Sequence, residues 1–143
     1  MVVLRDDRRV VVVVADGAGG LPGGGEAADI AVAAVREAAG RGHADLTDPR
    51  SCTALLRTVD ELVEADRKAG ETTLAFVTVS TTGIVGASCG DSGVVVVAAD
   101  FVDELTRNQR RKLRIGSGRA VPVPFSRPHL DGVLVAATYG LLN

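Results

Sequence analysis

The chain has 143 residues, of which 46% are hydrophobic, 24% charged and only 3% aromatic, with 17 glycines and a formal net charge of −2. These values suit one α/β domain that buries a core without cross-links, and they exclude collagen-like, mucin-like and disulfide-framework chains. Cys52 and Cys89 form no C-x-x-C pair, which argues against a structural zinc or a redox motif and makes a reducing cytoplasm the expected compartment. Val10 to Val14 is an unbroken β-branched run bounded by the glycine-rich stretch from Gly17, so it predicts a buried strand with Asp16 at its end. The apolar run is far shorter than the ~20 residues that cross a bilayer. Ahead of it, Arg5, Asp6 and Asp7 look like a hairpin turn, and the mixed charges do not read as a signal peptide.

Glu26 to Ala39 repeats Ala27, Ile30, Ala31, Ala34, Val35 and Ala38 at helical spacing, predicting an Ala-rich, closely packed helix. A second helix is signalled by Asp48 as N-cap and Pro49 at the first position, with Cys52, Leu55, Leu56, Val59, Leu62 and Val63 on one stripe. Arg67 and Lys68 suit its last turn, and Gly70 is expected to supply a left-handed C-terminal residue. The period then becomes extended. Thr73 to Ser80, Ile84 to Ser88 and Val94 to Ala99 predict three strands with short connections, hence antiparallel pairing. Phe101 to Ile115 suggests a short charged helix, Gly116 to Pro128 a loop, and Val133 to Thr138 a last strand.

The small net charge conceals an asymmetry. Residues 1 to 106 carry nine Lys and Arg against 17 Asp and Glu, whereas Arg107 onwards carries seven against one. Arg107, Arg110, Arg111, Lys112 and Arg114 form a basic run that could attract phosphate or acidic peptide, or serve only as a solvated loop. With no Trp, one Tyr and three Phe, nucleic acid is not indicated.

A carboxylate at the exit of a rigid strand, followed by small residues, suits a hard cation; Asp16 has that setting. Gly23 to Ala28 formally matches a dinucleotide fingerprint, but the glycines do not follow the strand directly and no second strand ends in an acid at the required distance. A phosphate-loop lysine is absent, since Lys68 and Lys112 follow no glycine loop. Gly90-Asp91-Ser92-Gly93 taken alone is an ordinary turn. Paired with Asp16, it supplies a second acid at a strand end, the raw material of an oxygen-ligated magnesium or manganese site.

Val14-Ala15-Asp16-Gly17-Ala18-Gly19-Gly20, Gly25-Glu26-Ala27-Ala28, Glu71-Thr72-Thr73, Gly90-Asp91-Ser92 and Asp131 to Leu141, in that order, resemble the PPM-type metal-dependent serine/threonine protein phosphatases, especially the bacterial ones. The resemblance implies a layered α+β fold, an antiparallel β-sandwich flanked by helix pairs, as a single domain over residues 1–143. It implies hydrolysis of phosphoserine or phosphothreonine by metal-activated water, with Mn²⁺ or Mg²⁺. Asp16 would ligate and bridge the metals, the Gly17 carbonyl would ligate one, and Asp91 would serve an accessory ion. Two cations supply the nucleophile at neutral pH and neutralise phosphoryl charge, so no covalent protein nucleophile is needed and Ser92 is not one.

The chain departs from that pattern at named places. It is expected to lack the family's usual first strand, with its acidic ligand and phosphate-binding Arg, and its C-terminal end, with the final Asp. Tyr139 stands where an Asp is usual, and a neutral phenol is a poor ligand for these ions. An impaired phosphatase is therefore expected, with a catalytically inactive pseudophosphatase, a phosphoprotein or regulator binding module, as the alternative. No membrane partner is expected, and open sheet edges would favour self-association.

Overall fold

The computed structural model describes residues 1–19, 22–41, 44–109 and 113–138. Tyr139, His43, Arg110, Arg111 and Lys112 lie outside the described residues.

Short apolar runs, buried on both faces in the central strands, build two antiparallel sheets. Strands β1 (Val2–Arg5), β2 (Arg9–Gly17), β3 (Thr72–Ser80), β4 (Gly83–Cys89) and β7 (Val123–Arg127) form one, in the order β1-β2-β3-β4-β7. Strands β6 (Val102–Glu104), β5 (Gly93–Val97) and β8 (Val133–Ala137) form the other, in the order β6-β5-β8. Helices α1 (Gly24–Arg41) and α2 (Pro49–Ala65) pack on the larger sheet. One core cluster lies between that sheet and the helices, around Val13, Phe76, Val35 and Leu56. A second lies between the sheets, around Ala75, Val77, Val94 and Val96. Layers of this kind bury each apolar face against another, as the sequence pattern requires. No helix among the described residues is long and apolar enough to cross a membrane.

The hairpin turn expected at Asp6 and Asp7 joins β1 to β2, with the Asp6 carboxylate accepting from the Arg8 and Arg9 amides at 2.8 and 2.9 Å. Asp48 caps α2 as expected, its side chain accepting from the Arg50 amide at 3.1 Å with Pro49 next in the chain. The stripe on α2 differs at two places. Leu62 is 51% exposed, and Asp60, an acid, is buried in its stead. The helix ends at Ala65, with Asp66 in extended backbone closing it, so Gly70 is no left-handed cap. Gly70 is small for another reason: a Cβ there would sit 2.5 Å from the Pro22 carbonyl oxygen.

Three further expectations are corrected. The strands after Gly70 do not form one antiparallel meander, because the chain crosses between sheets after Cys89: β4 pairs with β3 and β7, and β5 with β6 and β8. The charged segment 101–109 is not helical. Its backbone is claimed by β5, with Val95 to Val97 pairing with Val102 to Glu104 and the Leu105 amide donating to the Val94 carbonyl at 2.9 Å. The segment 116–128 is not all loop, since β7 adds to β4 with Pro124 opposite Ala87. An edge strand tolerates a proline, which has no amide to leave unpaired.

Cys52 and Cys89 are free and buried. Burial, the main cause, pushes their thiols up to about 12 and about 11, respectively, so both stay protonated and inert.

Arg127, at the end of β7, ties the two sheets together. It pairs with Asp103 of β6 and, through Nη2, with both carboxylate oxygens of Asp131 at 2.8 and 2.9 Å. Its Nε donates to the His129 carbonyl, and its guanidinium lies 5.1 Å from the Phe101 ring centroid. Arg107 is likewise engaged, with Asp103 at 2.7 Å. Two arginines of the basic C-terminal part are thus spent on ion pairs rather than left open to a partner. The Arg127 hydrogen bonds hold the Asp131 carboxyl below its ordinary value of 3.8. A depressed folded pKa stabilises above the unfolded value, and that contribution disappears as pH falls through the folded one. Urea unfolding from pH 7 down to pH 3 should therefore show a gentler acid loss of stability in Arg127→Gln than in the parent. An unchanged profile would remove this pair from the acid response.

Candidate active site

Strand register places Asp16. Val10 to Val14 is buried or half-buried throughout, with Val11 and Val13 facing the helices and Val12 the second core, so a one-residue slip would invert every side chain. In this register Asp16 stands opposite Thr73, and Gly17 opposite Thr72. Alternation puts Asp16 on the face of β2 shared with Val12, the face turned toward the smaller sheet. Asp16 is exposed there, at the strand's last turn of the pleat.

Asp91 sits where the chain leaves β4 for β5. Gly90 makes that crossing at φ +97°, and a Cβ on it would come within 2.9 Å of the Thr73 side chain. The buried hydroxyls of Thr73 and Ser92 are 2.5 Å apart, and Thr73 Oγ1 donates to the Asp16 carbonyl at 3.4 Å, which leaves Ser92 as the donor to Thr73. A chain of two hydroxyls therefore connects the residue after Asp91 to the backbone of Asp16. The Gln109 amide closes the crossing from the other side. Oriented by the acceptors it faces, its nitrogen donates to the carbonyls of Ser92 and Gly90 at 2.9 and 3.3 Å and to Ser88 Oγ at 3.2 Å. Thr106 adds a bond from the Val94 amide at 3.1 Å.

Gly17 is required by the seat of α1. A Cβ there would fall inside the Gly24 backbone, while the Ala18 amide donates to the Glu71 carbonyl at 2.9 Å. The helix can reach the strand end only because neither residue has a side chain.

The structure thus brings Asp16, Gly17 and Asp91 to one end of the sandwich. Among the described residues neither Asp16 nor Asp91 has a hydrogen-bond or ion-pair partner for its carboxylate. Two carboxylates and a peptide carbonyl are hard oxygen donors, the right kind for Mg²⁺ or Mn²⁺. An ion held by so few protein donors keeps most of its water. No group of three or more His, Cys, Asp or Glu able to hold a metal occurs among the described residues. Ser92 is 1% exposed and hydrogen-bonded, in keeping with a role in positioning rather than attack.

Sequence reasoning found the acids and missed what holds them. Thr73 lies in the quoted Glu71-Thr72-Thr73 stretch, but its partnership with Ser92 spans two sheets. Gln109 gave no signal at all, because it sits on a segment whose expected helix does not form. Strand β8 runs toward the same end, with Ala137 opposite Gly93.

Comparison with known proteins follows the same lines. A family model for protein phosphatase 2C matches residues 2–113. No curated protein matches the chain. Among solved structures, a bacterial serine phosphatase is similar at TM-score 0.65 with 17% identity, over 83% of this chain and 62% of its own. A serine/threonine phosphatase of S. agalactiae is similar at 0.67 with 18% identity, over 88% and 66%. RsbX, solved in complex with magnesium, is similar at 0.67 with 12% identity, over 89% and 58%. The chain spans about three-fifths of the length of the first of these structures, and at such identities the likeness concerns the fold. With four-fifths of its length matched by the family model and the expected layered fold in place, the chain belongs to the protein phosphatase 2C family, the PPM type its motifs resemble.

Proposed function

We propose that this chain hydrolyses phosphoserine and phosphothreonine in proteins, with Mn²⁺ or Mg²⁺, at a reduced rate. Asp16 and the Gly17 carbonyl would hold the ion, and Asp91 an accessory one. The observation that carries the proposal is the hydroxyl chain from Ser92 through Thr73 to Asp16, which fixes two unpartnered acids at one end of the sandwich in a chain of this family. When bound, the metal would supply a water nucleophile at neutral pH and offset charge on the phosphoryl oxygens. The residues of the chain hold the geometry: Thr73 and Gln109 fasten the Asp91 crossing, and Gly17 and Gly24 let the strand end meet the helix. The RsbX complex with magnesium supports a hard cation in this fold. Two free, buried cysteines suit a reducing cytoplasm.

A second reading, a pseudophosphatase that binds phosphoprotein without turnover, is favoured by the missing third acid among the described residues. Hydrolysis of p-nitrophenyl phosphate and of a phosphothreonine peptide, with Mn²⁺ raised from zero to millimolar, separates the two. Turnover should require Mn²⁺, saturate late, and fall about 100-fold or more in Asp16→Ala. A folded parent protein that shows no turnover at any metal concentration would leave the binding module as the answer.

A further inference from the structure

Side chains, rather than its own backbone, hold the crossing from β4 to β5. Outside the strand ladders, no backbone-to-backbone hydrogen bond reaches Gly90, Asp91 or Ser92 among the described residues. Gly90 stands at φ +97° and has no side chain to pack, so the local sequence does little to select one shape for the turn. Thr73 holds the Ser92 hydroxyl, and the Gln109 amide nitrogen donates to the Ser92 carbonyl at 2.9 Å, the Gly90 carbonyl at 3.3 Å and Ser88 Oγ at 3.2 Å.

Two of those acceptors lie on either side of Asp91. The Gly90 carbonyl shares a rigid peptide plane with the Asp91 amide, and the Ser92 carbonyl closes the turn just beyond it. Fastening both to one nitrogen leaves the Asp91 Cα little freedom, so the direction in which its carboxylate leaves the backbone is set from Gln109. Both carbonyls are occupied, whereas the Asp91 carboxylate has no ion-pair partner among the described residues. Gln109 is itself held. Its backbone amide donates to the Thr106 carbonyl at 2.9 Å, Thr106 Oγ1 accepts from the Val94 amide at 3.1 Å, and the Leu105 amide donates to the Val94 carbonyl at 2.9 Å. Residues 105–109 therefore grip the start of β5 and reach back from it to the turn that opens it.

We infer that Gln109 is a positioning residue for the ion at Asp91: its amide fixes the orientation of that carboxylate, and so the affinity with which the accessory ion is held, without touching the ion. The inference rests on the proposed role of Asp91 as a ligand. A carboxylate that must be oriented on binding loses ion affinity, and one pre-set by donors behind it does not.

Mn²⁺ binding without substrate is the measure, followed by the electron paramagnetic resonance signal of free Mn²⁺, which is lost on binding. Gln109→Met keeps the length of the side chain and removes its donor, and Gln109→Leu removes the donor with another shape. Circular dichroism verifies the fold of each; if one fails to fold, the other decides. The part of the binding that Asp91→Ala removes should weaken about tenfold in Gln109→Met. Added to Asp91→Ala, Gln109→Met should change nothing further, because a residue that acts only through Asp91 has nothing left to position. A brace for the fold alone would lower binding by the same factor in both backgrounds. The inference is overturned if Gln109→Met binds as the parent does, if its loss is the same with and without Asp91, or if Asp91→Ala binds Mn²⁺ as tightly as the parent. Hydrolysis is followed separately. Loss of the Asp91-dependent ion in Gln109→Met, from a parent without turnover, upholds the inference while the phosphatase reading falls. Turnover that needs Asp16, with Mn²⁺ binding unchanged in Gln109→Met, does the reverse.

Discussion

Asp60→Ala should cost about 3–5 kcal/mol of folding stability, a large part of the roughly 5–15 kcal/mol that holds a domain of this size. Asp60 is 5% exposed on α2, and its two oxygens accept three backbone amides from one loop. Oδ1 takes those of Gly116 at 2.7 Å and Gly118 at 3.2 Å, and Oδ2 that of Ala120 at 2.9 Å. Gly116 and Gly118 both stand at positive φ, so the loop has little of its own to keep that shape. Removing the carboxylate strands three donors, each costing about 1–3 kcal/mol where water does not reach it. Asp60→Asn should lose about half as much, because one oxygen still serves Gly116 and Gly118 while the amide nitrogen meets the Ala120 amide donor to donor. Urea unfolding is the measure: the midpoint should fall with the slope unchanged. A shift below about 1 kcal/mol for the alanine variant would mean the loop holds itself. The effect reaches the candidate site, since Ile115 exchanges two 3.0 Å backbone bonds with Thr72, next to Thr73.

Gly23→Val should destabilise by about 2–5 kcal/mol, from a strained left-handed backbone and an overfilled contact together. Gly23 is at φ +81°, and its carbonyl accepts from both the Ala27 amide at 3.0 Å, opening α1, and the Gly70 amide at 2.8 Å. A Cβ there would collide with the Lys68 carbonyl and lie 2.6 Å from the Gly70 nitrogen. Gly25, two residues on, has nothing within 4 Å of its Cβ position and sits inside the helix. Gly25→Ala should therefore raise stability by about 0.5–1 kcal/mol through helix propensity. Thermal unfolding of the two variants beside the parent tests the contrast. Equal effects at both positions would show that the glycine run is a loose linker rather than a joint.

The elements legible in the sequence were those with their own periodicity. The valines of β2 specify a strand buried on both faces, the alanine stripe of α1 a helix buried on one, and the capped start of α2 its own first turn. What stayed hidden was set by partners distant in the chain. Val102 to Glu104 is a strand because β5 offers it an edge, and Val123 to Arg127 is one because β4 does, in spite of Pro124. Asp60 occupies an apolar stripe with a charge that only the 116–120 loop explains. At the candidate site, Asp16 and Asp91 were visible as acids at strand ends, whereas the hydroxyl pair of Thr73 and Ser92 depends on two sheets being stacked.

Strand pairs also differ in how far the chain must travel to make them. Strands β3 and β4 meet across the short turn at Thr81 and Thr82, and β1 and β2 across the one at Asp6, so these hairpins close with little loop entropy. Strand β8 must return from Val133 to lie beside β5, long after Val97 has left it. Contacts that close large loops form late. By the same measure the strand that carries Asp16 gains β1 early but gains β3 only across both helices, a longer closure than that of β8 on β5, so the end of the sandwich that holds Asp16 and Asp91 is completed late from both sides.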